Sequence, residues 1–311
     1  PDDVRVGDRL HDVLDGISQR AGGMRGEFAI PTGIAAYDEK VAHAGGKLIV
    51  VAGPPSHGKT ALGGGWAAAA AIDGYPTLVF SLEMTAEELI HRFLARESGV
   101  AASDMATGAV SYADFKGPIY AAAEKLRAPE LYVVTEDDTF ARVRARIRRW
   151  YARRVSPTAR KLGLVVVDYL QLVAGEEGSK TREREIGQMS RGFKRLAVEL
   201  NVPIVLLSQL SRAYAQRDES EPPKLSDLRD SGQIEQDADI VVFPWRRPYE
   251  GDDGSKLWND DCPADLIVAK NRGGRRGKVP AKWHAKATTF RDMERADREP
   301  VRNWQDGREE D

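Results

Sequence analysis

The chain has 311 residues, is 41% hydrophobic and 30% charged, and carries a formal net charge of −2. That length suits one large or two modest domains, and that composition suits a globular protein rather than a disordered or fibrous one. A near-neutral chain does not hold nucleic acid by its overall field, so any such site must be a local basic patch, and a single cysteine, Cys262, excludes an internal disulfide and a cysteine-cluster zinc site.

The remaining bulk features set expectations of compartment. No apolar run exceeds about ten residues, so no membrane span is expected. The acidic, polar start PDDVRVGDRL is not a signal peptide. A lone cysteine fits a reducing, cytoplasmic setting.

In chain order, residues 3–20 read as an amphipathic helix, with Val6, Leu10, Val13, Leu14 and Ile17 on one stripe. Such a stripe must be buried, by folding back on its own domain or by docking on another subunit. The Gly-rich RAGGMRG (20–26) reads as a connector. From Phe28 a turn, Ile30-Pro31-Thr32-Gly33, precedes a short helix near Tyr37 to Val41. Apolar runs at 48–51, 77–82, 131–134, 162–167, 203–207, 240–243 and 266–269 read as strands, several as continuous runs buried on both faces. Thr85 and Glu88 form a capping box ahead of a helix. Helices are expected at 140–154, arginine-dense with a solvated face, and at 181–200. Strands alternating with helices predict an α/β fold, a mostly parallel sheet with helices on both faces. Residues 246–261 read as a polar excursion and 291–311 as a charged tail.

The most informative stretch is LIVVAGPPSHGKTAL (48–62). An apolar strand enters Gly53-Pro54-Pro55-Ser56-His57-Gly58-Lys59-Thr60, and a helix-favouring segment follows from Ala61. This is the strand–loop–helix order of a P-loop. Gly53 and Gly58 permit backbone angles that let the loop wrap a phosphate. Lys59 can reach the β- and γ-phosphates of ATP, and the Thr60 hydroxyl can ligate Mg2+. In an open α/β sheet the chemistry sits at the carboxyl ends of the strands. Glu83, Asp168 and Gln209 each follow such a strand. Asp168 is the Walker B candidate for Mg2+, and Glu83 the candidate for polarising an attacking water. The loop AKNRGGRRGK (269–278) packs cations among glycines. It reads as a solvated basic turn, a phosphate-backbone contact, or fingers for a neighbour's nucleotide, and chemistry alone leaves these open.

Together the motifs resemble the C-terminal ATPase domain of the DnaB-type replicative hexameric helicases. They are Ile30-Pro-Thr-Gly33, AGPPSHGKTA (52–61), SLEM (81–84), VDYLQL (167–172), LNVPIVLLSQLSR (200–212), LSDLRDSGQIEQDADIVVF (225–243) and AKNRGG (269–274). The resemblance implies a RecA-like P-loop NTPase core over 27–290, preceded by a linker helix and connector at 1–26 and followed by the tail at 291–311. It implies that Gly53, Ser56, His57, Gly58, Lys59, Thr60, Ala61 and Arg92 bind nucleotide. Thr60 and Asp168 would hold Mg2+, Glu83 would be the catalytic base, and Gln209 would sense the γ-phosphate. Lys270 and Arg272 match the lysine and arginine fingers supplied in trans. Arg229, Asp230 and Gly232 match residues that grip single-stranded DNA. The implied activity is ATP-driven 5′-to-3′ translocation and unwinding by a homo-oligomer, a hexameric ring, with a helicase loader as a further partner. Alternative readings are a RecA- or RadA-like strand-exchange ATPase and a weakly hydrolysing scaffold or loader. Pro54 stands where the family usually has arginine, and His57 where it has a small or apolar residue. No N-terminal helical domain is seen ahead of the linker, so primase contact is not expected.

Overall fold

The computed structural model describes residues 29–136, 139–158, 162–173, 182–211, 214, 221–246, 249–250, 256–257 and 261–293, together with residues 14 and 18. The linker helix expected at 3–20, those two positions apart, and the chain beyond 293 lie outside the described residues, as does much of the excursion at 246–261.

The strands are β1 (Leu48–Gly53), β2 (Thr77–Ser81), β3 (Leu131–Val134), β4 (Leu164–Asp168), β5 (Ile204–Gln209), β6 (Ile240–Arg246), β7 (Tyr249–Glu250), β8 (Lys256–Leu257), β9 (Cys262–Asn271), β10 (Gly277–His284) and β11 (Thr289–Asp292). β7 and β8 pair only with each other. The others form one sheet, ordered β11-β10-β9-β6-β1-β5-β4-β2-β3. From β6 to β3 all neighbours are parallel, and β9, β10 and β11 join antiparallel. The helices are α1 (Ala35–Asp38), α2 (Lys59–Ile72), α3 (Ala86–Ser98), α4 (Ala102–Thr107), α5 (Tyr112–Asp114), α6 (Tyr120–Arg127), α7 (Phe140–Trp150), α8 (Arg182–Leu200) and α9 (Gly232–Asp237).

β1 shows why the sheet is covered on both sides. Every residue of it is buried. Ile49 and Val51 point into a core with Leu62 and Trp66 of α2 and Phe93 of α3. Leu48, Val50 and Ala52 point into the opposite core, with Ile147 of α7 and Phe193 of α8. Each Leu, Ile or Val among them contributes roughly 2 kcal/mol, so a one-residue slip of the strand would exchange the two faces at once. The predicted capping box is formed: Glu88 N–H donates to Thr85 Oγ1 at 3.2 Å, and Thr85 N–H donates to Glu88 Oε2 at 2.8 Å.

The structure adds elements beyond those expected. β10 and β11 extend the sheet past the basic loop, although Val279, Ala281 and Trp283 alternate as buried residues in a clean period of two. β11 carries ordered sheet to Asp292, whose carboxylate accepts from the Ala35 and Ala36 N–H groups that open α1. Residues 102–127 hold α4, α5 and α6, which bury little and so leave a weak apolar period. The helix expected at 140–154 is α-helical to Trp150 and continues as a π-helical turn over Tyr151–Val155.

Beneath β1, His43 sits with its ring edge-on to Trp66 at 4.6 Å and its Nε2 3.0 Å from the Tyr37 hydroxyl. Burial pushes its pKa down to about 3 from 6.5, so the folded ring stays neutral. The unfolded chain protonates it near its ordinary value. The stability this provides is therefore present above that value and is lost as pH falls toward the folded one. Between pH 7 and pH 5 the wild type should lose about 2 kcal/mol more than His43→Phe. Urea denaturation of both proteins at the two pH values reads the difference.

Candidate nucleotide-binding site

β1 delivers the chain into the loop at Gly53, and the turn closes at Gly58, where φ is +88°. A Cβ at Gly58 would lie 2.8 Å from the Phe290 ring. Phe290 and Trp283, from β11 and β10, stand with their rings 4.9 Å apart as a wall behind the loop. Gly58 is also the N-cap of α2 and provides no side-chain cap. The first-turn N–H groups are thus left for an anion. Lys59 donates from Nζ to the Pro54 carbonyl at 2.8 Å. Burial pushes its pKa down to about 8, against the pull of Asp168 and Glu83. At neutral pH it remains a cation whose backbone partner a phosphate oxygen could replace.

The acids arrive on neighbouring strands. Leu82 N–H donates to the Asp168 carbonyl at 2.8 Å, which fastens the end of β2 to the end of β4. Asp168 is buried, and burial pushes its pKa up to about 6, with Glu83 adding to the rise. A hydrogen bond from Thr60, with Arg92 and Lys59, pulls it back. A buried carboxylate beside a hydroxyl fits a hard divalent cation that keeps most of its waters and takes further oxygens from its substrate. No cluster of three or more His, Cys, Asp or Glu side chains able to hold a metal occurs among the described residues, in keeping with that sparse donor set. Glu83 is exposed, just past β2. Gln209 ends β5, its backbone N–H donating to Gln171 Oε1 at 3.4 Å, and it shares the cavity wall with Tyr169.

These groups line one cavity of about 340 Å³. Of the residues singled out in the sequence it gathers Ser56, Gly58, Lys59, Thr60, Ala61, Glu83, Arg92, Asp168 and Gln209. Gly53 and His57 do not line it. His57, within the loop, is buried, and burial and then the charges of Arg246 and Lys59 push its pKa down to about 4. Pro55, Met84, Tyr169, Trp283 and Thr288 complete the walls. Pro55, Met84 and Tyr169 lie within quoted motifs, whereas Trp283 and Thr288 carry no local signal of proximity to the loop.

A family model described as DnaB-like helicase C terminal domain matches residues 29–292. The chain belongs to that family. The replicative DNA helicase DnaB of Leifsonia xyli subsp. xyli is 37% identical over 286 residues, which cover 91% of this chain and 59% of that protein. The DnaB of Geobacillus stearothermophilus is 36% identical over 290 residues, covering 92% and 61%. The chain therefore spans about 60% of the length of these relatives. Among solved structures, one described as an ATPase domain matches with a TM-score of 0.82 and 29% identity, over 94% of this chain and all of that one. A DnaB-like replicative helicase described with its primase interactions matches at 0.79 and 29%, over 94% and 68%. The RadB recombinase, at 0.50 and 17% over 85% of this chain and all of that one, shares the fold alone.

In this DnaB-like domain the two remaining groups of predicted residues lie away from the cavity. Lys270 pairs in register with Val241, and Arg272 N–H donates to the Asp239 carbonyl at 2.9 Å. Asp239 N–H in turn donates to the Leu48 carbonyl. Arg272 is thus level with the start of β1, about 17 Å along the strands from the loop. Lys270 donates to the Glu235 carbonyl and Arg272 to the Gln236 carbonyl, at the C-terminal end of α9 where cations are favoured. Arg229 and Asp230 lie in a 3-10 turn over Leu225–Ser231, and their side chains are outside the described residues. Gly232 opens α9, with open space where a Cβ would stand. No described helix is long and apolar enough to cross a membrane.

Gly58→Ala should destabilise the domain by about 1–2 kcal/mol from the left-handed backbone alone, and further from overlap with Phe290. A second change, Phe290→Leu, should recover only the packing share. Thermal melts of the single and double variants separate the two contributions.

Proposed function

We propose that this domain is the ATP-hydrolysing motor of a replicative DNA helicase that acts as a ring of like subunits on single-stranded DNA. One observation carries the reading. One cavity gathers Lys59, Thr60, Glu83, Asp168 and Gln209, while Lys270 and Arg272 are held at the opposite ends of the strands. Such a half-site is completed by a second copy.

In this reading the α2 N-terminus and Lys59 hold the β- and γ-phosphates of ATP. Thr60 and Asp168 hold Mg2+, which supplies positive charge to the phosphate oxygens. Glu83 accepts a proton from the attacking water, and Arg92 contacts the nucleotide. Lys270 and Arg272 of the partner subunit offset charge developing on the γ-phosphate. Gln209 senses the γ-phosphate and relays its presence toward the loop that carries the DNA contacts. Arg229, Asp230 and Gly232 grip the strand through its phosphates, so binding is sequence-tolerant and salt-sensitive. Family resemblance sets six subunits and 5′-to-3′ movement, in the cytoplasm, with a loader as a further partner.

The domain proper runs from 27 past 290, because β11 carries it to Asp292, with the linker helix and connector at 1–26 before it and the charged tail beyond it. The apolar stripe of the linker docks on a neighbouring subunit. Tyr112, Phe115 and Tyr120, 76%, 51% and 53% exposed, offer such a stripe an apolar seat.

Three measurements test this. A strand-displacement assay with ATP and a forked duplex should show unwinding; strand pairing on an open filament would instead support the recombinase reading. Glu83→Gln should lower ATP turnover by about 100-fold or more with ATP binding retained, and unchanged turnover would remove Glu83 as the base. Arg272→Ala should lower turnover by on the order of 1,000-fold. Mixed with wild type, it should depress hydrolysis out of proportion to its share, whereas strictly additive activity would rule out a finger in trans.

A further inference from the structure

The arginine-dense α7 has no part in the function above. Its arginines do not simply face solvent. Arg144 and Arg148, four residues apart, line a groove opposite Arg191 and Arg195, four apart on α8. The groove encloses about 380 Å³. Its apolar lining is supplied by Phe140, Met189 and Leu196. Gly192 makes it possible: a Cβ there would lie 2.3 Å from the Phe140 ring, so only glycine lets α7 seat so closely on α8.

We propose that this groove is a docking site for an acidic amphipathic peptide segment of a partner protein, with carboxylates one helical turn apart flanking an apolar residue. The groove already shows how it holds a carboxylate. Arg148 donates from Nε and Nη2 to the two oxygens of Glu199, each at 2.7 Å. This fork geometry is specific to arginine with a planar anion. Glu185 is likewise paired, with Arg182. Arg191 and Arg195 are exposed and make no hydrogen bond or ion pair among the described residues. The groove therefore keeps an excess of positive charge. Arginines four apart on both walls stand roughly 6 Å from one another along each helix. That spacing matches carboxylates at i and i+4 of an acidic helix lying between them.

A nucleic-acid strand fits less well. Sequence-tolerant strand binding relies on aromatic faces on which bases stack. The aromatic ring here, Phe140, has the Arg144 guanidinium over it at 5.2 Å and stands edge-on to Phe193 at 5.0 Å. Its face is taken.

The test uses the full chain and a fluorescein-labelled, helix-forming peptide with glutamates at i and i+4 around a leucine. Anisotropy should show saturable binding that weakens with salt. Arg191→Glu with Arg195→Glu should weaken it by about tenfold or more. Glu199→Gln should tighten it several-fold, because Arg148 is released and a like charge removed. Glu199 is exposed and outside the core, so this variant keeps the test decisive if the double substitution misfolds. Equal affinity of the peptide for wild type and both variants would overturn the proposal. So would a groove that ignores the peptide while oligo(dT) binding is lost on the double substitution.

Discussion

The side-by-side register of β1, β5 and β4, with their carboxyl ends level, is the constraint on which the rest of the site depends. It sets Thr60, in the first turn of α2, and the buried carboxylate of Asp168, at the end of β4 two strands from β1, on one cavity. The register provides this: Gly53 faces Gln209 across β1 and β5, and Ser81 faces Asp168 across β2 and β4. The sheet thereby brings a cation, a hydroxyl, two acids and an amide to one edge. Burial then raises the proton affinity of Asp168 and lowers that of Lys59. Both shifts leave groups that gain from an arriving counter-charge, a cation for one and a phosphate for the other.

The same sheet order separates Lys270 and Arg272 from the loop at 53–60. β9 runs antiparallel to β6, so its far end returns to the edge where the parallel strands begin. Lys270 and Arg272 are held there by carbonyls at the end of α9, and Arg272 lies 3.9 Å from Asp239. Asp239 is itself held by Lys194 at 2.6 Å and by the Leu48 N–H at 2.8 Å. These cations therefore sit on a stiff platform rather than a loose loop. α9 opens at Gly232, so the element that seats Lys270 and Arg272 also begins at the segment proposed to meet DNA.

Charge on the opposite helical layer follows a different logic. The net charge of the chain is near zero, yet α7 and α8 concentrate arginines along one groove whose lining is apolar. Close packing through Gly192 turns two ordinary charged helix faces into a concave, directional surface. A period of four along each helix describes its stripe, but the meeting of two stripes belongs to the pair.

Much of this was legible in residue order. The P-loop, Glu83, Asp168 and Gln209 could be read because each lies directly beyond an apolar run, and strand period, turn glycine and cap are encoded by neighbouring residues. The alternation of Val279, Ala281 and Trp283 was equally local, though it was not read as a strand beside the cation cluster. What residue order could not supply was adjacency over long separations. Phe290 lies behind Gly58, Trp283 and Thr288 wall the cavity, and Lys270 and Arg272 sit at the strand ends away from it, all because an antiparallel extension adds β9, β10 and β11 in turn beyond β6. Strand order is set by the burial of whole faces against one another, and no period along the chain records which strand a given strand will meet.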